Sequence, residues 1–138
     1  MENEKKASRF KVVFLFTFLL YSFNCSAQEM IFCEKTDPSG NAIHAGKEFT
    51  IDAKGSYLQI LVKASHPLTG STATIDLFLL DQQGEDQFEN SRVVKVQTGW
   101  TWFSQQFTFF KQGKYVVYAY DESGALLATA QLNIKSNQ

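Results

Sequence analysis

Residues 113–134 read GKYVVYAYDESGALLATAQLNI and carry the clearest structural pattern in the chain. Tyr115, Val117 and Ala119 alternate with the residues between them, and the same two-residue period returns from Leu126 to Ile134. The segment between these two runs, residues 121–124, holds Asp, Ser and Gly, which are turn residues. Strict alternation on both sides of a turn predicts a β-hairpin with one apolar face.

The rest of the chain divides into further short strand candidates separated by turn residues. These candidates cover residues 30–33, 49–51, 57–63, 73–80, 92–97 and 100–110. The polar run at 81–90 predicts an exposed loop, and it contains four acidic residues: Asp81, Glu85, Asp86 and Glu89. About seven short strands in roughly 100 residues predict an all-β, two-sheet antiparallel sandwich that forms one domain over residues 28–138.

The most aromatic candidate is residues 100–110. On an extended strand Phe103, Phe107 and Phe109 share one face, which we expect to be buried. Trp100 and Trp102 then share the opposite face, about 7 Å apart.

Residues 103–134 resemble the closing half of immunoglobulin-like and PKD-type domains. The resemblance rests on Phe107-x-Phe109, on Gly113-Lys-Tyr115-Val-Val and on Asp121-x-x-Gly124 before a last alternating strand. It implies that Gly113-x-Tyr115 begins the penultimate strand of an immunoglobulin-like sandwich. The chain departs from true immunoglobulin domains because it has no cysteine pair to join the two sheets. The Trp-x-Trp-Phe run is also similar to one in uncharacterised small secreted bacterial β-domains.

The first 27 residues have the pattern of a cleaved, helical secretory signal peptide. A basic head is followed by an apolar run at 12–23 and a small-residue stretch that ends at Ala27. The alternative is a membrane anchor, but the run is shorter than the roughly 20 residues that a spanning helix needs. We therefore expect the domain to lie outside the cytoplasm: in the periplasm, on the outer membrane surface or secreted.

Processing of the leader has two interpretations. Cleavage after Ala27 leaves a chain that begins at Gln28, whereas lipoprotein-type processing would attach lipid to Cys25. The second interpretation fits less well, because Phe23 and Asn24 precede Cys25 where a small residue is expected. A lipid on Cys25 is the one membrane attachment that we consider.

Charge and cysteine content exclude several classes of protein. Residues 1–27 hold four of the 13 Lys and Arg and two of the 14 Asp and Glu, which leaves a net charge of −3 for the rest. That balance lacks the basic surface that nucleic acid requires. Cys33 is the one cysteine after the leader, so no internal disulfide forms, and we expect it to be a small buried residue.

No residue pattern indicates catalysis or a bound cofactor. His44 and His66 are the two histidines, and the chain has no Gly-x-Ser-x-Gly nucleophile motif. Cys33, His44 and His66 lack zinc spacing. The acidic run that starts at Asp81 departs from the calcium-binding EF-hand pattern. We predict no enzyme activity, no cofactor and no metal.

The candidate binding residues are aromatic: Trp100, Trp102, Tyr118 and Tyr120. Exposed Trp and Tyr anchor protein partners, and a pair of Trp rings can stack on a sugar. A third interpretation is structural: Trp100 lies in the preceding loop, and Trp102 covers the sheet edge beside Tyr118 or Tyr120. The sequence favours a non-enzymatic module that binds an envelope or secreted protein. A carbohydrate-binding module is the alternative, and a small hydrolase is third.

Overall fold

A computed structural model describes residues 28–137 as two packed β-sheets. Within that range the chain forms nine strands, and no helix is found that is long and apolar enough to cross a membrane. The strands are β1 (Glu29–Thr36), β2 (Ala42–Gly46), β3 (Glu48–Ile51), β4 (Ser56–Lys63), β5 (Thr72–Leu80), β6 (Asp86–Lys95), β7 (Trp102–Phe109), β8 (Gly113–Asp121) and β9 (Leu126–Ser136).

The strand order is that of an immunoglobulin-like sandwich. Sheet A has the order β2-β1-β4-β7, and sheet B has the order β3-β9-β8-β5-β6. Constant-type immunoglobulin domains pack a sheet of strands A, B, E and D against a sheet of strands C, F and G. In chain order and in pairing, β1, β4 and β7 correspond to A, B and E, and β5, β8 and β9 correspond to C, F and G. The predicted all-β, two-sheet, immunoglobulin-like sandwich is thereby confirmed, whereas the prediction that all strands are antiparallel fails at β3, which pairs parallel with β9.

The core lies between the sheets, where the sequence pattern predicts it. Phe103, Phe107 and Phe109 of β7 are buried, as are Tyr115 and Val117 of β8. The Tyr115 hydroxyl donates a hydrogen bond to the Lys111 carbonyl (2.6 Å). A tyrosine near the start of strand F that bonds to the backbone just upstream is the tyrosine corner of immunoglobulin-like folds. The predicted role of Gly113-x-Tyr115 as the start of the penultimate strand is confirmed.

The structure has nine strands where about seven were predicted, and β2 is the strand that none of the predicted segments covers. Its sequence, AIHAG, has no apolar alternation, and His44 has a left-handed backbone (φ 56°) that a strand pattern does not anticipate. The strand nevertheless pairs with β1 from Phe32↔Gly46 to Thr36↔Ala42. Backbone pairing with a neighbouring strand therefore overrides a weak local preference here.

The predicted loop at 81–90 is also wrong in its second half, because β6 begins at Asp86. Residues 81–85 form the turn, and the Asp81 carboxylate accepts hydrogen bonds from the backbone N–H groups of Gln83 and Glu85 (2.9 Å each). Asp37 and Asp121 make the same two bonds in their own Asp-x-x-Gly turns. The Asp81 carboxylate is thus part of the hairpin turn rather than of a ligand cluster.

One side of the sandwich, which we call the closed side, is sealed by chain that crosses between the sheets. β2 ends in sheet A at Gly46, and β3 begins in sheet B at Glu48. Between them the Lys47 carbonyl accepts a hydrogen bond from the Asn133 N–H (2.8 Å). β3 then runs parallel to β9 from Glu48↔Asn133 to Ile51↔Ser136.

Candidate binding cleft on the open side

The opposite side of the sandwich, which we call the open side, contains a cleft of about 760 Å³ between the outermost strands of the two sheets. β7 is the last strand of sheet A, and β6 is the last strand of sheet B. The lining residues come from these two strands and from the loop that joins them. They are Val94, Lys95, Gly99, Trp100, Thr101, Trp102, Phe103, Ser104 and Gln105.

Trp100 lines the cleft from a loop and not from a strand. β7 begins at Trp102, because a turn at Thr98 and Gly99 (φ +96°) interrupts the extended backbone and the Trp100 N–H bonds to the Gln97 carbonyl (3.1 Å). The structural interpretation that placed Trp100 in the preceding loop is therefore confirmed, and the alternative with both Trp residues on one strand is wrong. Both residues nevertheless line the same cleft. Trp100 is 41% exposed.

Trp102 lies under the turn of the β1–β2 hairpin. An added Cβ on Gly40 would be 2.5 Å from the Trp102 ring, so the glycine backbone sits directly against the indole. The Thr36 and Ser104 hydroxyls are 3.3 Å apart just beside it. The hairpin therefore crosses the outer face of sheet A from β1 to β7. Because the turn covers it, Trp102 can present only part of its surface to the cleft.

The same hairpin explains why the Cys33 side chain is buried. Phe32, Ile60 and Val62 point into the core, so Cys33 and Leu61 point to the outer face of sheet A by alternation. Both are nevertheless fully buried (0% exposed). Burial raises the pKa of the Cys33 thiol, and its Sγ lies 3.8 Å from the Gln59 carbonyl. The prediction of a small buried cysteine is confirmed.

The charged side chains around the cleft are cationic. Lys95 lines it, and Arg92 lies two residues before Val94 on the same face of β6, opposite the buried Ile75. Among the lining residues none carries a carboxylate. The acidic Glu89 lies further along β6 and pairs with Lys111 (3.1 Å). The charge beside this part of the cleft is therefore positive.

Tyr118 and Tyr120 do not belong to the cleft. They lie on the outer face of sheet B, whereas Trp102 lies on the outer face of sheet A, so Trp102 does not cover an edge beside them as the structural interpretation proposed. Their rings stack (centroids 6.4 Å apart), and Tyr118 meets the edge of Phe78 (5.7 Å). Burial, with smaller contributions from Asp76 and Tyr118, raises the pKa of Tyr120.

This outer row continues to Phe88, which is 62% exposed and packs on Phe78 at 5.9 Å. The sequence pattern missed Phe88 because it stands among polar residues in the run assigned to a loop. The other wall of the cleft, formed by Val94 and Lys95, was also missed. No local signal marks those two residues as a wall of the cleft, since β6 and β7 belong to different sheets and meet only through the packing of the two sheets.

The remaining residues that were weighed for chemistry are dispersed. His44 Nδ1 is 2.7 Å from a Glu34 carboxylate oxygen on the exposed surface, and His66 is exposed in a loop. Across residues 28–137 no three His, Cys, Asp or Glu side chains are grouped to hold a metal ion. The predicted signal peptide, its cleavage after Ala27 and the lipid site at Cys25 lie outside the described residues.

No protein-family model matches the chain, and no curated protein matches it. Among solved structures, the chain is similar to an immunoglobulin-like protein from Pseudomonas aeruginosa (17% identity, TM-score 0.48), with 78% of this chain and 92% of that chain covered. It is also similar to the CARDB domain of a Pyrococcus furiosus protein (11% identity, TM-score 0.42; 80% and 96% covered). A third is a superoxide reductase from Ignicoccus hospitalis (14% identity, TM-score 0.45; 81% and 83% covered). The immunoglobulin-like architecture described above rests on the strand order of this chain itself.

Proposed function

We propose that this chain is a non-enzymatic, extracytoplasmic binding module that contacts another protein at the cell envelope through its open side. The observation that carries the proposal is the cleft of about 760 Å³ with Trp100 exposed beside it. Trp is among the residues that contribute most to binding at protein interfaces.

The arrangement of titratable groups supports a binding role over catalysis. A hydrolytic triad requires a histidine within hydrogen-bonding distance of both a nucleophile and a carboxylate. The His44 ring contacts the Glu34 carboxylate, but its side chain is 74% exposed, and His66 is an exposed loop residue. Neither residue lines the cleft.

Capture from the envelope fraction of the native host tests the proposal. Tagged wild-type protein should retain a defined partner, and Trp100→Ala should lose it, because the variant removes the exposed ring without disturbing the core. Phe110→Ala is the matched control, since Phe110 is 70% exposed but outside the cleft. Equal capture by all three proteins would contradict the proposal. So would measured hydrolytic turnover that is abolished in His66→Ala.

The extracytoplasmic location has its own test. The intact mass of the protein purified from its host should match a chain that begins at Gln28, and the protein should be in the soluble fraction. A lipid-modified Cys25 in the membrane fraction would change the cleavage site and make the chain an anchored module. An unprocessed chain in the cytoplasm would contradict the location.

Carbohydrate binding is the second candidate, and the mixed lining of the cleft favours it. Thr101, Ser104 and Gln105 supply polar groups next to Trp100. Sugar binding predicts a change in tryptophan fluorescence when soluble polysaccharides are added, and the loss of that change in Trp100→Ala. Because the Gly40 turn covers part of Trp102, stacking would depend on Trp100 alone.

A further inference from the structure

We infer that the open side binds one extended segment of a partner protein, which pairs with β7 and becomes the fifth strand of sheet A. This inference rests on the proposed function and specifies the chemistry of the partner. An extended segment added to a sheet edge gains main-chain hydrogen bonds, and pockets for its alternate side chains determine specificity.

The backbone of β7 has hydrogen-bonding groups along its outer edge that β4 does not use. The Ala64 N–H bonds to the Thr101 carbonyl (2.8 Å), and β4 and β7 continue in antiparallel register from Lys63↔Trp102 to Ser56↔Phe109. Bonded and non-bonded pairs alternate in such a register. The N–H and C=O groups of the even-numbered residues therefore point away from β4: Trp102, Ser104, Gln106 and Thr108. Consistent with this, the Gln105 side-chain amide donates to the Gln106 carbonyl (3.1 Å).

β7 also lacks the features that normally block edge pairing. Natural edges carry charges, proline, bulges or very short strands. β7 has eight residues, WFSQQFTF, with no charge, no proline and no glycine. By contrast, β6 has two such blocking features. It has a register shift opposite Leu77 and Phe78, and it carries four charged residues: Asp86, Glu89, Arg92 and Lys95. β3 has only four residues.

The sandwich has room for one more strand next to β7. Sheet A has four strands in the described chain and sheet B has five. Because β1 packs against β9 near the closed side, counting from that side leaves β6 without a strand opposite it, past the edge of β7. In constant-type immunoglobulin domains strand D lies at this position beside strand E. Here β6 and β7 are joined by a loop of only six residues, 96–101, and no described strand takes that position.

The overhang of β6 selects a single strand over a second copy of the chain. If β7 paired with β7 of another copy, the sheet B of that copy would need the space that β6 occupies. An isolated extended segment has no second sheet attached and meets no such obstacle. We therefore assign the position to a segment that is free on both faces.

The lining determines the side chains of that segment. Alternate residues that point inward would lie against Val94 and Phe103, which are buried and apolar, so these positions take Val, Ile, Leu or Phe. Lys95 and Arg92 favour an Asp or Glu on the segment close to β6. Trp100 would cover one end of it.

A displayed library of nine-residue peptides tests this assignment. Apolar residues alternate with Thr, Ser, Asp and Glu in the library, and the bait is the protein purified from its host. We expect enriched peptides that carry at least one carboxylate. In the complex with an enriched peptide, hydrogen exchange of the Ser104 and Gln106 amides should slow, because these N–H groups become bonded.

Gln106→Pro and Gln106→Ala form the matched pair of variants. Proline removes an edge-facing N–H that the fold does not use, whereas alanine keeps it. We expect peptide affinity to fall at least about tenfold in Gln106→Pro and to change little in Gln106→Ala. Thermal unfolding checks that both variants are folded. Should Gln106→Pro fail to fold, the exchange measurement on wild-type protein decides the question.

Several results would overturn the inference. They are the absence of any enriched peptide, unchanged exchange at Ser104 and Gln106 in the complex, and a dimer through β7 that is lost in Gln106→Pro. If envelope capture still depends on Trp100 in any of these cases, the proposed function stands and only strand addition fails. If capture does not depend on Trp100 but peptides add to β7, the Trp100 interface is wrong and the edge is the binding site.

Discussion

The closed and open sides of this sandwich differ in how the gap between the two sheets is covered. On the closed side the chain itself crosses from β2 to β3, with only Lys47 between the two strands, and pairs with both sheets. On the open side β6 and β7 are joined at one end only, and a cleft remains between them. The difference teaches that a sandwich can be sealed by a short, irregular segment, while a long, regular strand such as β7 is left available for pairing.

The largest expected effect is on stability at the closed side. Ile51 of β3 is 1% exposed, so Ile51→Ala should cost about 2–5 kcal/mol of unfolding free energy because the cavity it leaves is enclosed. Val94 of β6 is 7% exposed and borders the cleft, so Val94→Ala should cost about 1.5 kcal/mol, close to the transfer energy alone. Urea denaturation measures both. An equal cost per methylene removed would show that the two sides are packed alike.

The Asp37–Asn41 turn joins the two sides, because it belongs to the β1–β2 hairpin and lies on Trp102 of β7. Gly40 (φ +84°) has the left-handed backbone that glycine adopts without cost. Gly40→Ala should destabilise the protein by about 1–2 kcal/mol through the backbone and about 1 kcal/mol more through the clash with the indole. Denaturation followed by tryptophan fluorescence should show both the lower stability and a changed native signal.

Gly124→Ala is the matched control for that experiment. Gly124 has φ +88° in the same type of turn, but no described atom lies within 4 Å of an added Cβ. It should therefore show the backbone cost alone and leave the native fluorescence unchanged. If the two variants lose equal stability, the hairpin turn does not brace Trp102.

The sequence predicts what depends on local pattern. Alternation and an Asp-x-x-Gly turn were enough to identify β8 and β9, and the spacing of Phe103, Phe107 and Phe109 identified the buried face of β7. The resemblance to immunoglobulin-like domains placed Tyr115 at the start of the penultimate strand. Each of these features is fixed by residues within about ten positions of one another, where the two-residue period of a strand is directly visible.

What the sequence did not predict depends on chain crossing and on contacts between strands of different sheets. β2 has no apolar alternation and is held by pairing with β1. The sequence left open whether Trp100 lies on the strand of Trp102 or in the preceding loop, and the turn at Gly99 places it in the loop. Val94 and Lys95 line the cleft together with Trp100, although β6 and β7 belong to different sheets and do not pair.

The smallest expected effect concerns Tyr115, which holds the far end of β7 against β8 through its edge-on contact with Phe109 (ring centroids 5.1 Å apart). Tyr115→Phe keeps this ring contact but loses the hydrogen bond to Lys111, so unfolding free energy at neutral pH should fall by about 1 kcal/mol. Tyr57→Phe, at a position 64% exposed, should leave stability unchanged. An equal effect of the two substitutions would mean that the hydrogen bond of the tyrosine corner does not stabilise this end of β7.

Alkaline pH separates the hydrogen bond of Tyr115 from its packing. Burial, and secondarily the charge of Glu89, raises the pKa of Tyr115 from 10 to about 12. The folded state therefore keeps the proton that the unfolded state releases, so the contribution of this group is complete below pH 10 and is lost as the pH rises towards 12. Denaturation series from pH 8 to 12 should show this loss in wild-type protein and a flatter profile in Tyr115→Phe, since phenylalanine has no proton to lose. Identical alkaline profiles would show that the buried hydroxyl does not control this end of the open side, and β7 would then be held by the phenylalanine contacts alone.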